Sequence, residues 1–442
     1  MHQIFVQINV VYMKRNILGE LIKWKESHNR KPLILNGARQ VGKTYILQEF
    51  GRLCYKDVAY LNCDRNDTLR NIFAHDYDTA RILRSISALT GIHIEPGETL
   101  IIFDEIQENP IILNSLKYFC ENAPEYHIAV AGSLLGISLH GNVSFPVGKV
   151  DMLKMFPMTF DEFLMAIGQE QLVELLRSGE KEVIDTLSLR LTDCLRQYYF
   201  VGGMPAAVRE YSESGNLQTV RTIQQQILFD YRRDFSKHAP GAEVPRINMV
   251  WDSIPAQLAK ENRKFIYNVI RKGARASEFE IAIQWLLDAG LVYRVHRATA
   301  PIMPLKFYEE LSAFKLFILD VGLMGTMTDT PAEAIIIGDN IFREYKGAFT
   351  ELFVYTQLIP RNLPIYYFSS NDSRIEIDFL VQKGTRIIPV EVKAEVNVKS
   401  KSLRTYIDKH PTLKGMRLSM LPHSDQGWME NVPLYDVNFG IR

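Results

Sequence analysis

The chain has 442 residues, 47% hydrophobic and 23% charged, with 51 Lys plus Arg balancing 51 Asp plus Glu. That length allows two to four domains with cores of their own, and zero net charge argues against a dedicated electrostatic nucleic-acid binder, though not against a local basic channel. The four cysteines, Cys54, Cys63, Cys120 and Cys194, form no CxxC pair, which reads as reduced thiols in a cytoplasmic setting, and no apolar run is long enough to span a bilayer, so no membrane partner is expected.

The opening MHQIFVQINVVYM is apolar but lacks the basic region and cleavage site of a signal peptide. Residues 1–12 are expected to be an N-terminal extension, with Met13 the natural start. MKRNILGELIKWKESHN then predicts an amphipathic helix with Ile17, Leu21, Ile22 and Trp24 on one side. Leu33-Ile34-Leu35 reads as a short buried strand. The loop after it, Gly37-Ala38-Arg39-Gln40-Val41-Gly42-Lys43-Thr44, fits GxxxxGK[ST] and opens a helix. Its glycines let backbone N–H groups wrap phosphates, Lys43 reaches the β/γ-phosphates, and the Thr44 hydroxyl binds Mg²⁺. ATP and Mg²⁺ are therefore the expected cofactors.

Strands follow at VAYLNC (58–63) and TLIIFD, the latter ending in Asp104-Glu105. Asp104 would hold Mg²⁺ and Glu105 would polarise the attacking water. YHIAVAGSLLG predicts a strand with Ser133 at its tip, either a sensor of the γ-phosphate or a plain helix N-cap. Lys149, at the loop-to-strand junction of FPVGKVDMLKMFP, is either a cation for transition-state charge, in cis or from a neighbouring subunit of a homo-oligomer, or a solvated surface group.

GARQVGKT, IIFDEIQENP, AGSLLG, FPVGKV and MFPMTFDEFL, with YYFVGGMPAAV, IPAQLAKENRKF, KLFILDVGLMG and EIDFL…PVEVK further on, together resemble predicted AAA+ superfamily ATPases joined to a C-terminal restriction-endonuclease-like domain of unknown function. The likeness covers nearly the whole chain. It implies an α/β fold: a P-loop AAA+ core over 13–158, a helical lid over 159–235, a winged-helix-like segment over 236–300 and a PD-(D/E)xK restriction-endonuclease-like α/β domain over 301–442. That family commonly has arginine where this chain has Lys149.

Helical periodicity fills 159–235, with Gly202-Gly203-Met204-Pro205 as the clearest break. WDSIPAQLAKEN and ASEFEIAIQWLLDAG read as helices and LVYRVHRAT as a strand or wing. The second helix carries Glu278, Glu280 and Asp288 and no basic residue, which argues against a major-groove role.

SRIEIDFLVQKGTRIIPVEVKA, near the C-terminus, predicts a β-hairpin. Alternation puts Glu376 and Asp378 on one face and Ile375, Ile377 and Phe379 on the other, with Glu391 and Lys393 sharing a face of the second strand. The helix EYKGAFTELFVYTQL places Glu351 among apolar residues. By residue type, an ion-paired exposed sheet face and a metal site both fit. The family resemblance favours the site, with Glu351, Asp378 and Glu391 binding Mg²⁺ and Lys393 orienting water. Lys399, Lys401 and Arg404 could meet a nucleic-acid backbone. The expected function is an ATP-binding and ATP-hydrolysing AAA+ switch for its C-terminal domain. The alternatives are an ATP-regulated, Mg²⁺-dependent nuclease on DNA or RNA, and a regulatory ATPase whose C-terminal domain only binds a partner.

Overall fold

The computed structural model describes residues 13–133, 145–260, 264–336, 343–370, 372, 374–394 and 399–441. The extension expected over 1–12 lies outside them, as does the part of AGSLLG beyond Ser133.

Five strands, β1 (Leu33–Asn36), β2 (Asp57–Asn62), β3 (Thr99–Asp104), β4 (His127–Gly132) and β5 (Asp151–Lys154), form a parallel sheet in the order β2-β3-β4-β1-β5. The apolar runs in β3 and β4 are buried throughout, as crossover helices on both faces require. All five strands point their C-terminal ends the same way, where ligands bind in such sheets. That edge collects the loop after β1, the Asp104-Glu105 pair after β3 and Ser133 after β4.

A second, eight-stranded sheet comprises β6 (Val292–Ala298), β7 (Glu309–Ile318), β8 (Ile365–Ser369), β9 (Glu376–Lys383), β10 (Arg386–Val392), β11 (Gly415–Ser419), β12 (Ser424–Asp425) and β13 (Met429–Pro433), in the order β12-β13-β11-β10-β9-β8-β6-β7. The segment expected as a strand or wing is the strand β6, which pairs with β7 on one side and β8 on the other. The boundary expected at 300/301 cuts through this sheet. The apolar alternation of β6 is satisfied by sheet partners rather than by the helices before it.

Between the sheets lie helices, including Ser188–Val201, the 22-residue Leu217–His238, Val244–Leu258 and Ala276–Asp288. One apolar cluster runs from Leu21 through Leu35, Phe163, Tyr231, Trp251 and Phe317 to Ile441. It therefore crosses every boundary expected within 13–442.

A polar knot ties three of the four expected parts together. The helix Val321–Met327 is capped by Asp320, whose carboxylate accepts from Leu323 N (2.9 Å) and from Gly203 N (2.6 Å). Gly203 in turn accepts from Met158 N at 2.7 Å. Gly202 has φ +72, and a Cβ there would stand 2.2 Å from Asp320 Oδ1, so only glycine fits. The contact brings together VGGMP and ILDVGLMG, two segments far apart in sequence. Burial raises the Asp320 carboxyl to about 6, against the lowering effect of its backbone donors.

Candidate ATP site and C-terminal acidic cluster

The loop after β1 turns back on a fixed geometry. Met155 N donates to Asn36 O at 2.7 Å, and Asn36 Oδ1 accepts from Gly37 N at 2.7 Å. A Cβ on Gly37 would stand 2.3 Å from the Met155 carbonyl oxygen, so the strand after the loop enforces glycine. The helix Lys43–Cys54 opens at its end, aiming unpaired N–H groups at the loop's mouth. Lys43 is only 8% exposed, and its ammonium donates to the carbonyl oxygens of Gly37 (2.9 Å) and Ala38 (2.7 Å). Burial pushes it down to about 8, against the opposing pull of Glu105 and Asp104.

Asp104 is buried and gathers the expected partners. Its Oδ2 accepts from the Thr44 hydroxyl at 2.7 Å and its Oδ1 from Glu105 N at 3.0 Å. A hydroxyl beside a carboxylate suits a hard divalent cation, so Thr44 and Asp104 fit the role of Mg²⁺ ligands. Sequence reasoning missed Tyr60, whose hydroxyl also donates to Asp104 Oδ2, at 2.9 Å. Its place is set by the β2–β3 register, which stands Asn62 opposite Asp104. Glu105 sits at φ +52, a conformation costing a non-glycine residue about 1–3 kcal/mol and typical of functional positions. Gln107 Nε2 donates to its carboxylate. Ser133 is 2% exposed and stands at the end of β4 beside β1. Its hydroxyl has no hydrogen-bond partner among the described residues.

Lys149 is placed elsewhere. It precedes β5, whose far end lies alongside Asn36. The strand's four residues, about 13 Å at ~3.3 Å each, separate it from the loop. It pairs instead with Glu121 at 3.0 Å. Its expected role in cis does not fit this placement, because β5 is parallel to β1 and enters from the opposite edge.

The helix Leu217–His238 closes over the loop. Asp234 pairs with the Arg39 guanidinium, Asp230 accepts from Gln40 Nε2 at 3.1 Å, and the Tyr231 hydroxyl donates to Arg39 O at 2.9 Å. Burial holds the Asp234 carboxyl above its ordinary value despite Arg39. Between helix and loop lies a cleft of about 870 Å³, lined by Arg39, Gln40, Glu105, Phe229, Arg233 and Lys237 among others.

The C-terminal acid groups divide in two. Asp378 and Glu391 are neighbours: continuing the pairing of Val390 with Phe379 sets Glu391 opposite Asp378. Asp378 Oδ2 accepts from Val392 N at 2.7 Å, and Lys393 pairs with Glu391 at 3.0 Å. Glu391 is 3% exposed, so this is no solvated face. Burial raises its carboxyl, Lys393 opposes that, and the Asp378 charge adds to it. Glu351, by contrast, is bound by Lys315 Nζ at 2.9 Å, and the same ammonium reaches Glu376 at 3.1 Å. The β8–β9 register slips by one between Tyr366 and Phe368. Ile377 consequently packs with Ile375 and Leu380, while Phe379 packs in the other cluster with Val381. The bulge breaks the expected alternation at Asp378, and Glu376 and Asp378 have different partners. Among the described residues no three His, Cys, Asp or Glu side chains are grouped to hold a metal ion. In this structure Glu351, held by Lys315, stands apart from the neighbouring Asp378 and Glu391. Lys315 was missed, although a lone lysine inside the apolar run Ala313–Leu319 marks it.

Residues 29–164 match the family model of an AAA domain, and 192–334 and 346–431 match two domains of unknown function, DUF8612 and DUF4143. The first match spans the phosphate loop, Asp104-Glu105 and Ser133, and supports ATPase activity. No curated protein matches the chain. Among solved structures, the Walker-type ATPase PabY2304 of Pyrococcus abyssi is similar at 16% identity, covering 72% of this chain and 96% of its own, with a TM-score of 0.46. The Aeropyrum pernix Orc1 protein in complex with DNA is similar at 16% identity, covering 74% and 96%, with a TM-score of 0.30. The Thermotoga maritima RuvB Holliday junction branch migration motor is similar at 14% identity, covering 64% and 90%, with a TM-score of 0.29. No helix among the described residues is long and apolar enough to cross a membrane.

Proposed function

We propose that this AAA-type ATPase is a nucleotide-driven switch that reports the state of its phosphate loop to its C-terminal sheet through the helix Leu217–His238. The observation that carries this reading is that one helix touches both ends. Near its C-terminus Asp230, Tyr231 and Asp234 hold Gln40 and Arg39 of the loop. Near its N-terminus Arg221 donates to Thr330 O at 2.8 Å, and Gln224 accepts from the Thr326 hydroxyl at 2.9 Å. Thr326 lies in the helix capped by Asp320, directly after β7. Ten residues of helix, about 15 Å, separate Gln224 from Asp234.

In the proposed chemistry, Lys43 and the N–H groups of the loop hold the phosphates. Thr44 and Asp104 would hold Mg²⁺, which supplies charge neutralisation on the phosphate oxygens when bound. Glu105 orients a water and draws off its proton. The buried Ser133 hydroxyl is available to donate to the terminal phosphate. Nucleic acid is the partner class we propose for the C-terminal part, on the exposed Lys399, Lys401 and Arg404. The test is hydrogen exchange with and without a non-hydrolysable ATP analogue. The switch predicts slowed exchange both in 217–238 and in 321–327. Slowing confined to the loop and 43–54, with 321–327 unchanged, would rule it out.

A further inference from the structure

Lys315 has no place in that switch, yet it is the most completely buried cation in the C-terminal sheet. Its side chain and that of Glu351 are both 0% exposed. Phe314 and Leu316 flank it in sequence and are buried, and the Tyr367 ring stands 4.9 Å from its ammonium. A charge so placed persists only if it is paired, and here it is paired twice, with Glu351 at 2.9 Å and Glu376 at 3.1 Å.

We infer that Lys315 is the resident cation of this acidic cluster, occupying the electrostatic role a divalent metal would have, so that the C-terminal sheet works as a metal-independent binding element. One oxygen of each carboxylate in the expected metal set is answered by a group of the chain itself. Glu351 has Lys315, Asp378 has the Val392 amide, and Glu391 has Lys393. Arg417 stands opposite Glu391 in the β10–β11 register. A dication at Glu351 would have to displace a fully buried ammonium or sit against it, and like charges at that range in a dry site repel strongly. The inference goes beyond the ATP-driven switch and favours a C-terminal part that binds a partner over one that cleaves it.

The test uses the full chain with Asp104→Asn, which removes the carboxylate of the ATP-site ion, titrated with Mn²⁺ without nucleotide and followed by calorimetry. Adding Asp378→Asn or Glu391→Gln is expected to leave the isotherm unchanged. Loss of a Mn²⁺ site in either variant would overturn the inference. A second arm measures melting. Lys315→Met strands Glu351, so the double variant Lys315→Met/Glu351→Gln is expected to melt above Lys315→Met alone; melting at or below it would show that Lys315 does not balance that carboxylate. Should Lys315→Met fail to fold, the Mn²⁺ arm, which leaves Lys315 untouched, decides. Neither arm reads ATP turnover, so its failure and that of the switch are distinguishable.

Discussion

At the scale of single residues, Lys43 and Glu105 do separable work. Lys43 is held near 8 when no phosphate is present, and bound phosphate charge raises it. The charged, phosphate-binding form is therefore about half populated at pH 8 and nearly complete about a unit below, and nucleotide affinity should fall, by up to about tenfold per unit, as pH rises above 8. Titration calorimetry in buffers of different ionisation heat should show proton uptake on binding at pH 8.5 and little at pH 6.5. Glu105→Gln keeps the Mg²⁺ ligands intact and removes the proton acceptor, so turnover should drop by about 10²–10⁴ while nucleotide affinity stays within a few-fold. Unchanged turnover in the purified variant would end the assignment. These positions were legible in the sequence because the loop motif and the Asp-Glu pair report local geometry: a strand, a turn, a helix. For Lys149 the sequence left a charge-stabilising cation and a solvated surface group both open, because a lone lysine carries no information about which end of a strand faces the loop. Tyr60 was invisible because it needed the β2–β3 register.

At the scale of elements, the helix Leu217–His238 holds the loop by its own acids. Combining Asp230→Ala, Tyr231→Phe and Asp234→Ala removes all three of these contacts with Gln40 and Arg39 and cuts the mechanical link, so nucleotide-dependent protection of 321–327 in hydrogen exchange should disappear while binding persists. Protection that survives would show that the link runs by another route. Periodicity correctly predicted strands β1 to β5 near their observed limits, and the β9–β10 hairpin with its Lys383-Gly384 turn. It failed at the faces of β9, because a one-residue slip against β8 inverts the alternation and nothing in a single strand announces where its partner bulges. At β6 it offered a strand or a wing but not the strand's partners, because its second neighbour, β8, lies far along the chain.

At the scale of the whole molecule, the continuous core and the Asp320 knot predict that ATPase and C-terminal parts melt together. Gly202→Ala drives a Cβ into the Asp320 carboxylate at a positive φ and should cost several kcal/mol, at least ~1 of it from backbone conformation alone. Calorimetry should show one lowered transition; two separated ones would contradict the shared core. Asp320 also gives a pH signature. Unfolded, it loses its proton near 4, whereas folded it keeps it to about 6. Its contribution is most favourable below pH 4 and is lost as pH rises through 6, by about 3 kcal/mol. Asp320→Asn should flatten that part of the stability profile while lowering stability, because its amide can accept only one of the two backbone donors.

The interior place of β6 also has a consequence in time. During synthesis β6 and β7 can pair as soon as both emerge, but the other edge of β6 must wait from Ala298 until β8 begins at Ile365. At roughly 5–20 residues per second, that edge of Val, Tyr, Arg and His residues stands open for several seconds on every nascent chain. An unpaired edge of this kind is a template for the wrong strand. The yield of native protein should therefore be sensitive to whatever shields that edge: arrest of translation between the two strands, followed by release, should raise the aggregated fraction far more than arrest after β5, where the first sheet is already complete.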